Sequence, residues 1–318
     1  MNKPVFIIVD AYSTGKYLAP AFCAQGYECI HIQSKMLLNE KILRTFYSDN
    51  FIQHFIFDGD FEGLIASLKN YDVKAIIPGY ETGVRLADHL AHILGVPHND
   101  YQLSLIRKNK YLLANHLLKK GLCVVPSAKV ENEFQIKKWL INRTFPIIVK
   151  PISSPDLENF YLCQTQEEAI EAFYKLCRVR DQLGKINCEA FIQQYFARPK
   201  YHVSMISCNG RHYIVEAMIM SEGKIERLRM ADRSSTQGRK LINYAIRAVN
   251  AVGITHGPSH TEIIFDKNEP ILVETAARLM YFLDPSMVND KYVSLLCEAY
   301  TNPESFLKRL EKENLFLR

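Results

Sequence analysis

The sequence predicts a mixed protein, with an α/β region at residues 1–100 and an α+β region from there to residue 318. Three observations lead to this prediction. Apolar runs alternate with helical patterns in the first hundred residues, short strands dominate after Cys123, and the composition, 48% apolar and 23% charged, is typical of a globular chain. Strands that alternate with helices form parallel sheets, whereas successive short strands favour antiparallel ones.

The first region begins with a predicted strand at residues 5–9, a continuous apolar run of the kind that is buried on both faces of a parallel sheet. The Asp10–Gly15 turn follows, and it is either an ordinary tight turn or a set of backbone N–H groups that binds an anion at a helix start. Further strands are predicted at 27–32, 51–57 and 75–78. Helices are predicted up to about residue 25, at 61–69 and at 82–94.

In the second region, Ser104 is predicted to cap a helix that runs to about Lys120 and ends at Gly121. Strands follow at 123–130, 146–150, 159–163, 189–196, 201–208 and 211–219. Helices interrupt them at 133–142, 166–180 and 236–252. The sequence contains no internal repeat, low-complexity segment or flexible linker, so we expect one closely packed body.

Bulk properties exclude several classes of protein. The net charge is only +5 and no run of five basic residues occurs, which argues against a nucleic-acid partner. No apolar stretch approaches the roughly 20 residues that a membrane-spanning helix needs. The eight cysteines form no C-x-x-C pair and sit mostly among apolar neighbours, so we expect reduced thiols, no membrane and a cytoplasmic location.

Two glutamates in one predicted hairpin are the most informative feature. His260–Asp266 alternates as a strand, and Pro270–Thr275 reads as its return. A three-residue turn would place Glu262 directly opposite Glu274. Two facing carboxylates repel unless something neutralises them, as a divalent cation does. A different turn length would separate them, and many exposed hairpins carry two acids without function.

Other segments suggest phosphate chemistry with less specificity. Ser13–Lys16 fails as a P-loop, because the upstream glycine is missing and Tyr17 stands where Ser or Thr is required. Lys150 ends an apolar strand and either binds a phosphate or snorkels to the edge of the protein. In isolation, the basic segment 107–113 is interpreted as a solvated helix face. The strand at 189–196 is interpreted, in isolation, as an ordinary core strand.

Taken in order, these segments resemble the ATP-grasp superfamily over nearly the whole chain, most closely the carboxylate–amine ligases that join amino acids. The resemblance lies in Arg107–Leu113, Val149-Lys150-Pro151, Ile192–Phe196, His260-Thr261-Glu262 and Glu274-Thr275-Ala276-Ala277-Arg278. It implies an N-terminal Rossmann-like domain at 1–100, a connecting helix and first ATP-grasp lobe at 101–190, and a second lobe at 191–318.

The resemblance also implies roles for individual residues. Lys110 and Lys150 would contact the ATP phosphates, and Gln193, Gln194, Tyr195 and Phe196 would form the hinge beside the adenine. Glu262 and Glu274 would hold Mg²⁺, as two ions, while Arg278 would stabilise an acyl phosphate and the tetrahedral intermediate. The implied reaction is ADP-forming ligation of a small carboxylate to an amine, and homodimers are common among such ligases.

The sequence departs from the family in three places. The loop Ser153–Asn159, which usually covers the phosphates, contains no glycine. Lys200 stands where relatives place a ribose-binding acid, and Ala276 stands where many relatives have Asn, as in the amino-acid ligase subgroup. An accessory protein that binds ATP without turnover, or a small-molecule kinase, therefore remains an alternative.

Two smaller features concern arginine and histidine side chains. Arg227, Arg229 and Arg233 would either meet an anionic substrate or form a solvated connector. His256 and His260 cannot form a helical metal pair, because Gly257-Pro258 excludes a helix. His260 shares a strand face with Glu262, so it either supports the substrate or the metal ligands or is a plain structural histidine, and we favour the structural role.

Overall fold

A computed structural model of the chain describes residues 3–35, 40–152, 160–178, 189–221, 224–228, 230–280 and 290–314. These residues form one parallel sheet and two antiparallel sheets, which confirms the mixed fold predicted from the sequence. Within these ranges, none of the helices combines the length and apolarity needed to cross a bilayer.

The first sheet has the strand order β3-β2-β1-β4, and all its strands are parallel. The central strand β1 is the apolar run predicted to be buried on both faces, and residues 5–9 are at most 1% exposed. Val9 at its end lies opposite Pro78, so the loops after β1 and β4 meet at one edge. The strands are β1 (Pro4–Val9), β2 (Glu28–Gln33), β3 (Gln53–Ile56) and β4 (Asp72–Pro78); the helices are α1 (Leu18–Cys23), α2 (Glu40–Leu43), α3 (Phe61–Leu68) and α4 (Val84–Leu94).

The helix that leads into the second region is broken in two, contrary to the single helix expected from Ser104 to Lys120. The two parts are α5 (Ser104–Lys108) and α6 (Lys110–Lys119). Asn109 separates them with an extended backbone, and its side chain accepts hydrogen bonds from two N–H groups at the start of α6. Ser104 does not cap a helix; its hydroxyl donates to Asp88 Oδ2 at 2.9 Å.

The second sheet has the strand order β5-β8-β6-β7, and α7 and α8 contribute apolar side chains to its core. The predicted domain boundary at residue 190 coincides with the start of β8, which lies inside this sheet. The three-domain division stays a prediction. The elements are β5 (Ser127–Val130), α7 (Glu133–Leu140), β6 (Ile147–Lys150), β7 (Tyr161–Cys163), α8 (Gln166–Arg178) and β8 (Ala190–Gln194).

The third sheet has the strand order β11-β10-β9-β12-β13. One face packs Val203, Met205 and Ile263 against α10. On the other face, Ile206 and Cys208 share a core with the first sheet and the last two helices. The elements are β9 (Lys200–Cys208), β10 (Arg211–Ser221), β11 (Lys224–Arg227), α9 (Met230–Ser234), α10 (Thr236–Ala251), β12 (Gly257–Asp266), β13 (Glu269–Ala276), α11 (Asp290–Thr301) and α12 (Pro303–Asn314).

The hairpin β12–β13 places Glu262 opposite Glu274, as predicted, but by a different route. The turn has two residues rather than three: Asp266 pairs with Glu269, and Lys267 and Asn268 both have positive φ, as a tight hairpin turn requires. That register alone would put Glu262 out of step with Glu274. A register shift between Glu262 and Ile263 supplies the missing residue and restores the pair.

A buried ion pair joins α4 of the first region to α5. Arg107 Nη2 lies 2.6 Å from Asp88 Oδ2, and the arginine side chain is fully buried. The same guanidinium donates to the backbone oxygens of Asp100 and Val252. Arg107 therefore anchors α5 between α4 and the end of α10, which is a structural role.

We predict that Arg107→Met destabilises the protein by about 3 kcal/mol or more, because Asp88 is left buried without its cation. Urea denaturation measures the free energy of unfolding. Lys74→Met is the matched control, since it breaks the Lys74–Asp72 pair, in which both side chains are nearly half exposed, and should cost less than about 0.5 kcal/mol. Equal effects of the two substitutions would contradict the anchoring role of Arg107.

Candidate active site

A row of polar side chains crosses three neighbouring strands of the third sheet. Register places His202 opposite Glu262 and Glu262 opposite Glu274. Opposite residues share a sheet face, and so do residues two apart along one strand. Lys200 and His260 therefore lie on the same face as this row, so the sheet gathers two carboxylates, two imidazoles and an ammonium group in one place.

Glu262 is the centre of this group. Lys200 Nζ lies 3.3 Å from its Oε2, while His260 Nε2 and His202 Nδ1 lie 3.6 Å and 3.8 Å from its Oε1. Burial alone would raise the pKa of Glu262, but Lys200 and the two histidines hold it well below its usual range. Burial lowers the pKa of His202 to about 4, so this ring is neutral at pH 7.

Lys150 faces the row from the second sheet. It ends β6, its Nζ donates to Gln193 Oε1 at 3.0 Å, and it lies 5.5 Å from the centre of the Phe191 ring. Burial lowers the pKa of Lys150 to about 8, and the carboxylates of Glu274 and Glu262 oppose that shift. The ammonium is thus held inward, which favours the cleft position over snorkelling to the edge.

The predicted hinge residues follow β8. Gln193 is buried against Lys150, and Gln194 Nε2 donates to the backbone oxygen of Thr144 at 2.6 Å. The backbone N–H of Tyr195 donates to Pro146 O at 3.3 Å, and the ring of Phe196 lies under the Arg198 guanidinium at 5.9 Å. The amide side chains fasten the strand end, while Tyr195 is 36% exposed.

Arg278 follows β13 and forms an ion pair with Glu81, which comes from the loop after β4. The backbone oxygen of Glu81 also accepts a hydrogen bond from Lys108 Nζ at 3.1 Å. Burial would raise the pKa of Glu81, but Arg278 and Lys108 lower it. The carboxyl edge of the first sheet thereby contacts the end of the hairpin that carries the two glutamates.

Electrostatic influence connects all of these groups. Glu274 acts on the pKa values of Lys150, Lys200 and Arg278, and Lys110 acts on those of Lys150 and Glu81. The start of α6 is also fastened beside β6, because the N–H of Lys110 donates to Ile152 O. Five cations thus surround three carboxylates (Lys108, Lys110, Lys150, Lys200 and Arg278 around Glu81, Glu262 and Glu274), and this excess suits an anionic ligand.

Several candidate residues lie elsewhere or outside the described part of the chain. In the Asp10–Gly15 turn, the N–H groups of Ala11, Tyr12, Ser13 and Gly15 already donate within the protein, so an ordinary tight turn is favoured over an anion site. His256 is bonded to Asn209 and the backbone of His98. The loop 153–159, Arg229 and the side chain of Arg227 lie outside the described residues, and Arg233 lies in α9.

Sequence reasoning missed Glu81, Lys108 and His202. Glu81 follows the carboxyl end of a buried parallel strand, which is where open α/β sheets bind ligands. That position was the sequence signal by which Glu81 could have been found. His202 stands among apolar residues of β9, and only the register with Glu262 shows its place. Lys108 belongs to the basic segment 107–113, and the sequence alone assigns it no role of its own.

Comparison with known proteins gives two relevant findings. No family model matches the chain. Dapdiamide A synthase from Enterobacter agglomerans is 29% identical over 333 aligned positions, which cover 99% of this chain and 77% of that protein. The likeness therefore extends over all three sheets rather than over a single motif.

Solved structures agree in fold. The L-amino acid ligase from Bacillus licheniformis has a TM-score of 0.70 at 16% identity, covering 94% of this chain and 74% of that chain. An ADP complex of N5-carboxyaminoimidazole ribonucleotide synthetase has a TM-score of 0.71 at 15% identity, covering 95% and 77%. This protein therefore has the ATP-grasp fold. The resemblance to the carboxylate–amine ligases that its motifs predict is confirmed.

Proposed function

We propose that this protein is an ATP-dependent, ADP-forming ligase that joins a small carboxylate, of an amino acid, to an amine. The observation that carries the proposal is that Lys150 and Arg278 lie close enough to the facing pair Glu262 and Glu274 to interact with it electrostatically. The whole-length similarity to Dapdiamide A synthase supports the same class of reaction.

Lys110 and Lys150 are proposed to hold the ATP phosphates from two sides. Lys110 begins α6 and Lys150 ends β6, and the backbone bond from Lys110 to Ile152 keeps the two segments adjacent. A buried ammonium needs an anionic partner, which a phosphate supplies. The segment from Gln193 to Phe196 would lie beside the adenine, with Tyr195 as its most exposed ring.

Glu262 and Glu274 fit Mg²⁺, which we propose binds as two ions. They face each other on neighbouring strands, and carboxylate oxygens are the ligands that this hard cation prefers. Bound Mg²⁺ would neutralise charge on the phosphates during transfer. Lys200 contacts Glu262 Oε2 and offsets part of the negative charge of the two carboxylates. At the position of Lys200, relatives carry an acid that contacts ribose.

The chain's own residues can support the two steps that such ligation needs. The carboxylate substrate attacks the γ-phosphorus and releases ADP; the amine then attacks the acyl carbon, loses a proton and expels phosphate. Arg278 is proposed to stabilise the negative charge of both intermediates. Glu81 holds Arg278 Nε, and Leu279 O accepts from its Nη1 at 3.0 Å, so the guanidinium is oriented before substrate arrives.

Two further features belong to the proposal. The substrates are small molecules, and we propose a homodimer by analogy with related ligases, one of which is described as a domain dimer. We also propose a cytoplasmic location, in keeping with the free cysteines of the described residues.

We predict Mg²⁺-dependent ADP release when the protein is given ATP and a panel of paired amino acids. Glu274→Gln should lower kcat for the active pair by roughly a hundredfold or more, because several kcal/mol of charge stabilisation are lost and each ~1.4 kcal/mol is tenfold in rate. Glu269→Gln is the matched control: this glutamate lies on the same hairpin, is exposed, and pairs with Lys240.

Three results would contradict the proposal in different ways. Tight ATP binding with no ADP release for any pair would indicate an accessory protein. A phosphorylated product without an amide would indicate a kinase. An equal loss of activity in the Glu269 and Glu274 variants would show that the hairpin fold, rather than the facing carboxylate, matters.

We also predict that ADP affinity depends on pH through Lys150. The pKa of this lysine is lowered to about 8 by burial, and a bound phosphate would raise it. Binding then takes up a proton above pH 8, so Kd should rise by up to about tenfold per pH unit there. Lys150→Arg should flatten this slope, because arginine stays charged; isothermal titration at pH 7–9.5 measures both, and identical slopes would exclude Lys150 as the phosphate ligand.

A further inference from the structure

Two buried histidines beside Glu262 have no role in the proposed ligation. His202 is 3% exposed and His260 is 4% exposed. Among the described residues, neither ring nitrogen of His202 has a hydrogen-bond partner, and Nδ1 of His260 has none either. Leaving a buried polar group unpaired is costly, so such groups require an explanation.

The distances around Glu262 are longer than those of well-formed hydrogen bonds and suit a metal ion. The two imidazole nitrogens lie 3.6 Å and 3.8 Å from Glu262 Oε1, and the three ligand atoms all lie within 4.8 Å of one another. Hydrogen bonds of this kind are shorter, about 2.7–3.2 Å. Two ligands of one tetrahedral metal, each about 2.1 Å from it, are about 3.4 Å apart.

The ammonium group of Lys200 leaves Oε1 of Glu262 available to a metal ion. Lys200 contacts Oε2 of Glu262, whereas the histidines face Oε1. The rings of His202 and His260 are nearly parallel, at 8° with centres 6.4 Å apart, because they project from adjacent strands of a rigid sheet. The donors are therefore held by backbone pairing rather than by a flexible loop.

We propose that His202, His260 and Glu262 Oε1 form a second metal site, for a divalent transition ion such as Co²⁺, Zn²⁺ or Cu²⁺. Imidazole favours these ions over Mg²⁺, which prefers oxygen ligands. The site shares Glu262 with the proposed Mg²⁺ site, so Zn²⁺ or Co²⁺ competes for a carboxylate that the ligation uses. Metal binding here does not depend on the proposed ligase activity.

The test is Co²⁺ binding to the full chain without nucleotide. Isothermal titration gives the dissociation constant, and the visible d–d bands report the ligands. His202→Phe keeps a buried ring but removes both nitrogens; we expect its dissociation constant to rise roughly tenfold or more, since even groups that merely support metal ligands contribute 10- to 100-fold. His92→Gln is the control, because His92 and His98 form an exposed pair at 3.4 Å on another part of the protein.

A second measurement avoids dependence on any variant. Electron spin-echo spectroscopy of bound Cu²⁺ in the wild-type protein should show coupling to imidazole ¹⁴N. Such coupling, together with weaker Co²⁺ binding in the His202 variant and unchanged binding in the His92 variant, supports the site. Absence of ¹⁴N coupling, or equal Co²⁺ affinity in wild type and His202→Phe, would overturn it.

Discussion

The repulsion between Glu262 and Glu274 is the constraint on which the site depends. The hairpin register forces the two carboxylates to face each other, and like charges opposite each other destabilise a sheet. Cations from two sheets offset that repulsion: Lys200 and Arg278 from the third sheet and Lys150 from the second. The first sheet contributes Glu81, which follows β4 and holds Arg278 in place. The fold can therefore be understood as the scaffold that brings these charges together.

Much of the fold was predictable because local patterns decide it. The apolar run at 5–9 and the alternation around Glu262 each specify a strand without reference to distant residues. The break at Asn109 and the two-residue turn were not predicted, because side-chain capping and a compensating bulge act at single positions. The facing glutamates were predicted from an incorrect turn length, and the bulge made that prediction correct.

The site was only partly predictable for a different reason. Lys150 and Glu274 stand in segments with their own sequence signal, whereas Glu81 gains its role only through Arg278, 197 residues away along the chain. His202 likewise depends on strand pairing with β12. Contacts of this kind come from tertiary packing and leave no local pattern in the sequence. The presence of Lys200 in place of an acid could likewise be interpreted only from its distance to Glu262.

The central claim is that the facing glutamates hold the Mg²⁺ that accompanies ATP. The most direct measurement is the ATP dissociation constant with and without Mg²⁺, in wild type and in a Glu262→Gln, Glu274→Gln double variant. The account predicts that Mg²⁺ strengthens ATP binding to the wild-type protein and has little effect on the double variant. The same Mg²⁺ enhancement in both proteins would contradict it.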